Sequence, residues 1–336
     1  MDWSRIFDST MTNAIGVEAC YFALAAIGLN MHFGYTGLLN FGQVGFMAMG
    51  AYGIGVSVTF FHWPLLVGVG VGLLLAVALA LLLGVPTLRL RADYLAIVTI
   101  AASEIIRLFA RSVRYEWLTG GSSGLTQFAN EFDDANPFGA CSAADRTCYG
   151  VGPIDFDANT LWVLVVGWTL VVLSSLFIFL LVRSPWGRVI RAIREDEDAV
   201  RSLGKNVVAY KMQSLVIGGV IGSLGGMIFA VANQSVQPDN YATQVTILAF
   251  AAVVLGGAGR VIGPVVGSMG LWGLIALTEG VAREAEGAGY IPDWIIAANE
   301  IGQIRFMLVG LGLALLMVLR PQGLFGNKRE LAIDAR

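Results

Sequence analysis

Charge is what this chain has least of. Lys, Arg, Asp and Glu make up 13% of its 336 residues, where soluble domains carry roughly 25%. That is too little polar surface to keep a fold of this size in water, which excludes a soluble globular protein. Histidine is also rare. The two present, His32 and His62, have no acidic or cysteine partner at ligand spacing, which argues against a catalytic metal. Both stand near the ends of apolar segments, where an interfacial histidine is expected. A phosphate-binding loop is missing. Gly204-Lys205-Asn206 lacks the upstream glycine and the Ser/Thr that cradle phosphate and magnesium. No catalytic residue, metal or cofactor is therefore expected in the chain itself. The start, Met1–Thr12, has no basic cluster, so a cleavable signal peptide is not expected either. With Trp3, Ile6 and Phe7, residues 1–12 read as a short segment on the membrane surface.

Long apolar runs are what the chain does have. Hydrophobic residues make up 56% of it and the mean hydropathy is +0.72. Stretches of membrane length lie near 13–32, 36–60, 64–86, 94–113, 160–182, 211–232, 244–258, 261–282 and 304–319. A span needs about 20 residues, so 244–258 is short for one. The 36–60 stretch is interrupted by six glycines and reads as a broken or re-entrant helix. The fold class expected is all-α, a polytopic transmembrane bundle of about 8–10 spans. It forms one transmembrane domain over 13–326, followed by a tail, 327–336. The 42 glycines suit close helix contact, since small residues let backbones approach. Gly68, Gly70 and Gly72 are read in that way, and Cys20 as a small packing residue.

Loop charge sets the orientation. Residues 183–211 hold seven bases, from Arg183 to Lys211, whereas 115–159 hold Arg146 against seven acids. Basic loops stay inside, which places 183–211, Arg89 and Arg91, and the tail with Arg320, Lys328 and Arg329 in the cytoplasm. The loops 114–159 and 283–303 fall outside. Nine crossings put the N-terminus outside, and one re-entrant segment moves it in. Cys141 and Cys148 lie in the outer loop, where their spacing suits a small disulfide ring, with two free thiols as the alternative.

Polar residues at membrane depth are costly and usually serve a purpose. Glu104 and Arg107 share a helical face and can neutralise each other, as a pathway pair or as a helix-positioning ion pair. Asn30, Asn40, Gln43, Thr99 and Ser103 are expected either to line a polar cavity or to bond between helices. The broken segment beside them favours a translocation route, because irregular backbone at this depth must line a cavity or be buried in protein.

The basic loop has its own pattern. Ser184-Pro185 starts a helix, helix formers run from Gly187 to Leu203, and Gly204 stops it. Ile190, Ile193, Ala199 and Leu203 form an apolar ridge between Arg188, Arg191 and Arg194 and the acids Glu195 to Asp198. Such a helix suits insertion into a partner's groove. A solvated inner loop is the plainer alternative.

Six stretches in order carry a family likeness. They are GYTGLLNFGQVGFMAMGAYG (34–53), LRADYLAIVTIAASEIIRL (90–108), LTGGSSGL (118–125), SPWGRVIRAIREDEDAVRSLGKNVVAYK (184–211), VVLGGAGRVIGPVVG (253–267) and LRPQGLFG (319–326). With them the chain resembles the LivM-type permease subunits of branched-chain amino acid ABC importers. The family's TGG followed by Pro or Ala is TGGSSG here, and the resemblance does not extend to the outer insert around 129–157, whose role it leaves open. The resemblance implies a multi-pass permease of the bacterial cell membrane. Its partners would be a second homologous permease, two cytoplasmic ABC ATPase subunits that bind ATP and magnesium, and an extracytoplasmic solute-binding protein. Lipid surrounds it, and no nucleic acid is expected. The resemblance also implies that 184–206 is the ATPase-coupling element, with Arg188, Arg191, Ala192, Arg194, Glu195, Asp196, Ala199, Leu203 and Gly204 its residues. A urea or short-amide permease on the same scaffold, an ion-driven secondary transporter and a non-transporting membrane subunit are the rival readings.

Overall fold

The computed structural model describes residues 3–88, 92–139, 149–151 and 154–287, with 307, 310–312, 314–315, 318 and 323–325 at isolated positions. Arg89, Arg91, the Cys141/Cys148 pair, most of the loop 283–303, most of the ninth apolar stretch and the basic residues of the tail lie outside the described residues.

Helix α1 (Trp3–Ile15) leads into α2 (Val17–Asn30), whose last turn widens into a π-turn, Met31–Tyr35. The chain then leaves helical geometry until α3 (Gln43–Thr59). The break expected in 36–60 is therefore present, at its start. Helices α4 (Leu65–Thr87) and α5 (Ala92–Arg111) follow. The loop assigned outside by its charge holds two short helices, α6 (Glu116–Thr119) and α7 (Asn130–Asp134). It also holds a two-residue strand β1 (Leu125–Thr126) and a hairpin, β2 (Tyr149–Val151) with β3 (Ile154–Phe156).

Helix α8 (Ala158–Arg183) is capped by Asp157, which accepts from the Thr160 amide at 3.3 Å. Ser184-Pro185 ends it, because the residue before proline disfavours helical geometry. Two short helices, α9 (Pro185–Glu195) and α10 (Glu197–Ser202), lead to α11 (Val207–Ala232). Strand β4 (Ser235–Val236) pairs antiparallel with β1, tying this turn to the outer loop. Helices α12 (Thr243–Gly256) and α13 (Gly263–Gly287) follow.

Among the described residues, five stretches are long and apolar enough to cross a membrane: Trp3–Tyr35, Leu65–Thr87, Ala158–Arg183, Val207–Ala232 and Gly263–Glu284. Helix α5 is of membrane length but carries Asp93, Glu104, Arg107 and Arg111. At 14 residues α12 is short for a span, as its stretch suggests.

Helix α2 is the axis. It is apolar all round and buried from Ala19 to Met31, the pattern of a helix enclosed by others. Helices α3, α8, α11, α12 and α13 pack on it. Large apolar side chains of α4 (Leu66, Leu74, Leu82) and α8 (Val172, Leu173, Leu180) point out of the bundle, as lipid-facing positions do. Helix α1 packs along α13. Ile6 is buried there, so of the three residues placed on the membrane surface only Trp3 and Phe7 stay exposed.

Small residues set how closely the axis is approached. A Cβ on Gly28 would run into the Gly218 carbonyl, and one on Gly218 into the Gly28 carbonyl and the His32 ring. The backbones of α2 and α11 touch there. Gly72 plays the same part between α4 and α3, where a Cβ would lie 2.8 Å from the Gly50 carbonyl oxygen. Cys20 packs against Gly167 of α8, as its small size suggests.

Candidate functional site

Among the described residues, three polar constellations interrupt the apolar bundle. The first sits where α2 breaks. Leaving the helix at Gly37–Gly42 frees backbone groups at membrane depth, and each must find a partner. Asn40 serves one of them and ties in two neighbouring side chains. Its Oδ1 accepts from the Gly42 amide at 2.9 Å, and its Nδ2 donates to His32 Nδ1 at 3.0 Å and to Gln43 Oε1 at 3.2 Å. With Nδ1 accepting, His32 is neutral and donates from Nε2 to the Leu215 carbonyl at 3.1 Å. Gln43 Nε2 donates to the Gly218 carbonyl at 3.2 Å. The side chain of Gln43 fits only because Gly222 has none.

The knot reaches other helices as well. The Phe41 amide donates to Thr99 Oγ1 of α5 at 3.1 Å, and the Val44 amide to Thr246 Oγ1 of α12 at 3.0 Å. Thr36 and Ser214 share a hydrogen bond at 2.6 Å. Asn30 bridges to the turn before α13, donating to the Arg260 carbonyl at 2.9 Å and accepting from the Gly259 amide at 2.8 Å.

This corrects one expectation. His32 is not interfacial but fully buried, whereas His62 is exposed beyond α3. Asn40, Gln43, Thr99 and Ser103 are also buried. Asn40, Gln43 and Thr99 bond between segments, and Asn40 and Thr99 satisfy amides of the break. Ser103 bonds only to the Ile100 carbonyl of its own helix, at 2.8 Å.

The second constellation lies near the far end of α5. Arg107 Nε donates to Glu104 Oε2 at 2.8 Å, the pair their spacing suggests. Two further residues join it that the sequence does not indicate. Arg107 and Arg111 both reach Asp239, at 3.0 and 3.2 Å, and Thr243 Oγ1 donates to Glu104 Oε1 at 2.8 Å. Asp239 stands 132 residues from Arg107, so only the fold brings them together. Two bases and two acids balance. Both Glu104 carboxylate oxygens are engaged. The outer pairs are half exposed and contribute little stability. Their role is to hold α5 against the 3₁₀ turn Pro238–Tyr241 and the start of α12.

The third is the basic loop. A single helix from Gly187 to Leu203 does not form. Asp196 is extended (φ −152°, ψ 104°), and its carboxylate caps α10 by accepting from the Asp198 and Ala199 amides, each at 3.0 Å. Capping competes with helix continuation at such a residue, and here it prevails. The expected ridge divides accordingly. Ile190 and Ile193 are buried against the bundle together with Val200, whereas Ala199 and Leu203 face outward. Leu203 is 79% exposed. Gly204 ends the unit in left-handed geometry (φ +76°), as a stop residue does.

Two arginines tie the loop to the bundle. Arg191 Nη2 donates to the Val182 carbonyl at 3.0 Å, and Arg194 Nη1 to the Gly34 carbonyl in the π-turn at 2.5 Å. Lys211 pairs with Glu197, fastening α10 to α11. Arg188, Glu195, Ala199, Leu203 and Gly204 stay on the outer surface, and Ala192 is half-buried.

None of the described residues forms a cluster of three or more His, Cys, Asp or Glu side chains suited to a metal. The described residues form a bundle with a broken central helix, a neutralised charge cluster and an amphipathic loop on its surface.

Comparison with known proteins agrees. No solved structure matches this chain. The LivM permease protein of the high-affinity branched-chain amino acid transport system of Salmonella typhimurium is 31% identical over 94% of this chain and 70% of its own length. Its Escherichia coli counterpart is 31% identical over 92% and 68%. A probable branched-chain amino acid transport permease of Methanocaldococcus jannaschii is 26% identical over 91% of this chain and 90% of its own. The family model described as branched-chain amino acid transport system, permease component, matches residues 11–291, and the chain belongs to that family of membrane permeases.

Proposed function

We propose that this chain is the permease subunit of an ATP-driven importer of leucine, isoleucine and valine, working by alternating access. The observation that carries the reading is the basic loop: it is bolted to the bundle on one face and open on the other. A coupling element must receive force and pass it on, and a loop attached only by its ends would do neither. Arg191 and Arg194 anchor α9 to α8 and to the π-turn of α2. Within that turn His32 bonds Asn40 at the break. A displacement of α9 therefore acts directly on the central helix, at the one place where its backbone ladder is already open.

The outer side of the loop, Arg188, Glu195, Ala199, Leu203 and Gly204, is the surface offered to the ATPase. Closure of two ATPase subunits around ATP and magnesium moves the docked loop, and the bundle changes the side to which its path opens. A second permease completes that path, and a solute-binding protein delivers the amino acid from outside. No covalent step falls to this chain. It favours one of two conformations according to what is bound, the only way a partner can drive such a change.

Uptake of labelled leucine and labelled urea by cells with and without the chain tests the substrate. ATP-dependent leucine uptake that disappears with the chain is expected. Intact leucine uptake with urea uptake lost would transfer the scaffold to amides. The coupling surface is tested by Leu203→Glu, which alters an exposed side chain and leaves the folded core untouched. Membrane levels stay normal and leucine uptake falls at least tenfold. Normal uptake in this variant rules out Leu203 as a docking contact.

A further inference from the structure

A crevice of about 710 Å³ opens where α8, α9 and the turn before α13 meet. Four arginines line it: Arg183, Arg191, Arg194 and Arg260. All four are exposed, and among the described residues none is in an ion pair. Arg191 and Arg194 donate to backbone carbonyls, which orients them without cancelling their charge. The Arg183 guanidinium lies 3.9 Å over the Phe179 ring. The start of α13 at Gly263 opens onto the same space, and the dipole of a 25-residue helix adds positive potential there. The crevice therefore asks for an anion.

Its shape says which kind. The wall continues from the arginines onto Leu176 and Phe179 of α8, both exposed on the helix's outward apolar face. Ser175 lies among them, its buried hydroxyl without a hydrogen-bond partner. From Arg183 to Ser175 is eight residues of helix, about 12 Å, whereas the headgroup layer of a bilayer is roughly 5–8 Å deep. The charged end thus sits at headgroup level, and the apolar end reaches the acyl chains. A small free anion would fill only the first part. The basic character of 183–211 places the crevice at the cytoplasmic surface, where membranes carry anionic lipid.

We propose that this crevice holds one anionic phospholipid of the cytoplasmic leaflet. Its phosphate lies among Arg183, Arg191, Arg194 and Arg260, and its acyl chains run along α8. Because α9 and the turn before α13 share the phosphate, the lipid cements the loop to the bundle.

The test uses the full-length chain purified in neutral detergent and titrated with dioctanoyl-phosphatidylglycerol, dioctanoyl-phosphatidylcholine or inorganic phosphate, with bound species counted by native mass spectrometry. One phosphatidylglycerol per chain is expected, with phosphatidylcholine at least tenfold weaker and phosphate unable to displace it at equal concentration. The double variant Arg183→Gln/Arg260→Gln loses at least tenfold in phosphatidylglycerol affinity. Neither residue bonds the backbone through its side chain, so its unfolding temperature without lipid stays that of the parent. Arg188→Gln, outside the crevice, keeps full affinity. Equal binding of the two lipids, full affinity in the double variant, or displacement by phosphate alone overturns the proposal. So does loss of the lipid when the ATPase subunits are added, since the arginines would then be a protein contact.

Discussion

Replacing Asn40 by alanine tests whether the polar knot holds the broken central helix. The side chain makes three hydrogen bonds of 2.9–3.2 Å, to the Gly42 amide, His32 Nδ1 and Gln43 Oε1. Asn40, His32 and Gln43 are all fully buried, so water does not take its place. A buried polar group left unpaired costs about 1–3 kcal/mol, and three such groups set an upper bound near 9 kcal/mol. Hydrogen bonds between membrane helices average nearer 0.6 kcal/mol, because the unfolded chain in the membrane also finds partners. Three of those set a lower bound near 2 kcal/mol. The local Gly42 bond and the shared network keep the terms from adding. A loss of about 3 kcal/mol is expected, more than a hundredfold in the folding equilibrium. For a chain of this length that is a drop of roughly 5 °C in the midpoint of thermal unfolding in detergent, followed by tryptophan fluorescence. Asn159→Ala, which removes one exposed bond at 3.0 Å on the outer side, serves as the control and stays within about 0.5 kcal/mol. If Asn40→Ala melts with the control, the knot does not hold the break, and the route proposed from α9 to the central helix fails with it.

Two further outcomes follow from the packing and the outer loop. Gly218→Val drives a branched side chain into the Gly28 carbonyl and the His32 ring, and costs about 3 kcal/mol or more, since backbone cannot swing aside. Size-exclusion profiles of detergent extracts should show the folded peak lost, while Gly70→Ala, with nothing within 4 Å, keeps it. In the outer loop, burial holds the Asp133 carboxyl above its ordinary value, aided by Asp134 and Asp157 and opposed by the hydrogen bond from Gln234. A raised folded value means that this group's contribution is fully present below the ordinary carboxylate value and is lost as pH rises through the folded value. Stability of the parent should decline over that window more than stability of Asp133→Asn; parallel pH profiles would refute the assignment.

Much of the molecule was legible along the chain. Scarce charge and long apolar runs announce a membrane bundle, because a bilayer admits only helices or closed barrels. The cluster of glycines from Gly37 to Gly55 marked a helix that would break, and it breaks from Gly37 to Gly42. Glu104 and Arg107 are three apart, so helical geometry alone pairs them. Gly204 marked a stop, and it is left-handed.

Other features depend on what approaches from elsewhere, and local sequence carries no trace of that. His32 stands near the end of an apolar run and looks interfacial, yet α11 and the break enclose it. Asp239 and Thr243 join the charge cluster across more than 130 residues. Ile190 and Ile193 read equally well as a ridge for a partner or a face for the bundle, because amphipathicity shows that a helix has an apolar side but not what covers it. Asp196 could have continued a helix or capped the next; the side-chain bonds to two amides outweighed one more turn. The four arginines around the crevice belong to three separate segments, and only tertiary packing brings like charges together against their own repulsion. By itself the sequence determined the solvent, the helices and the family, since these follow from composition, period and ordered motifs. The tertiary structure decided which polar groups share a partner, because burial and hydrogen bonding belong to the packed bundle and not to any one segment of it.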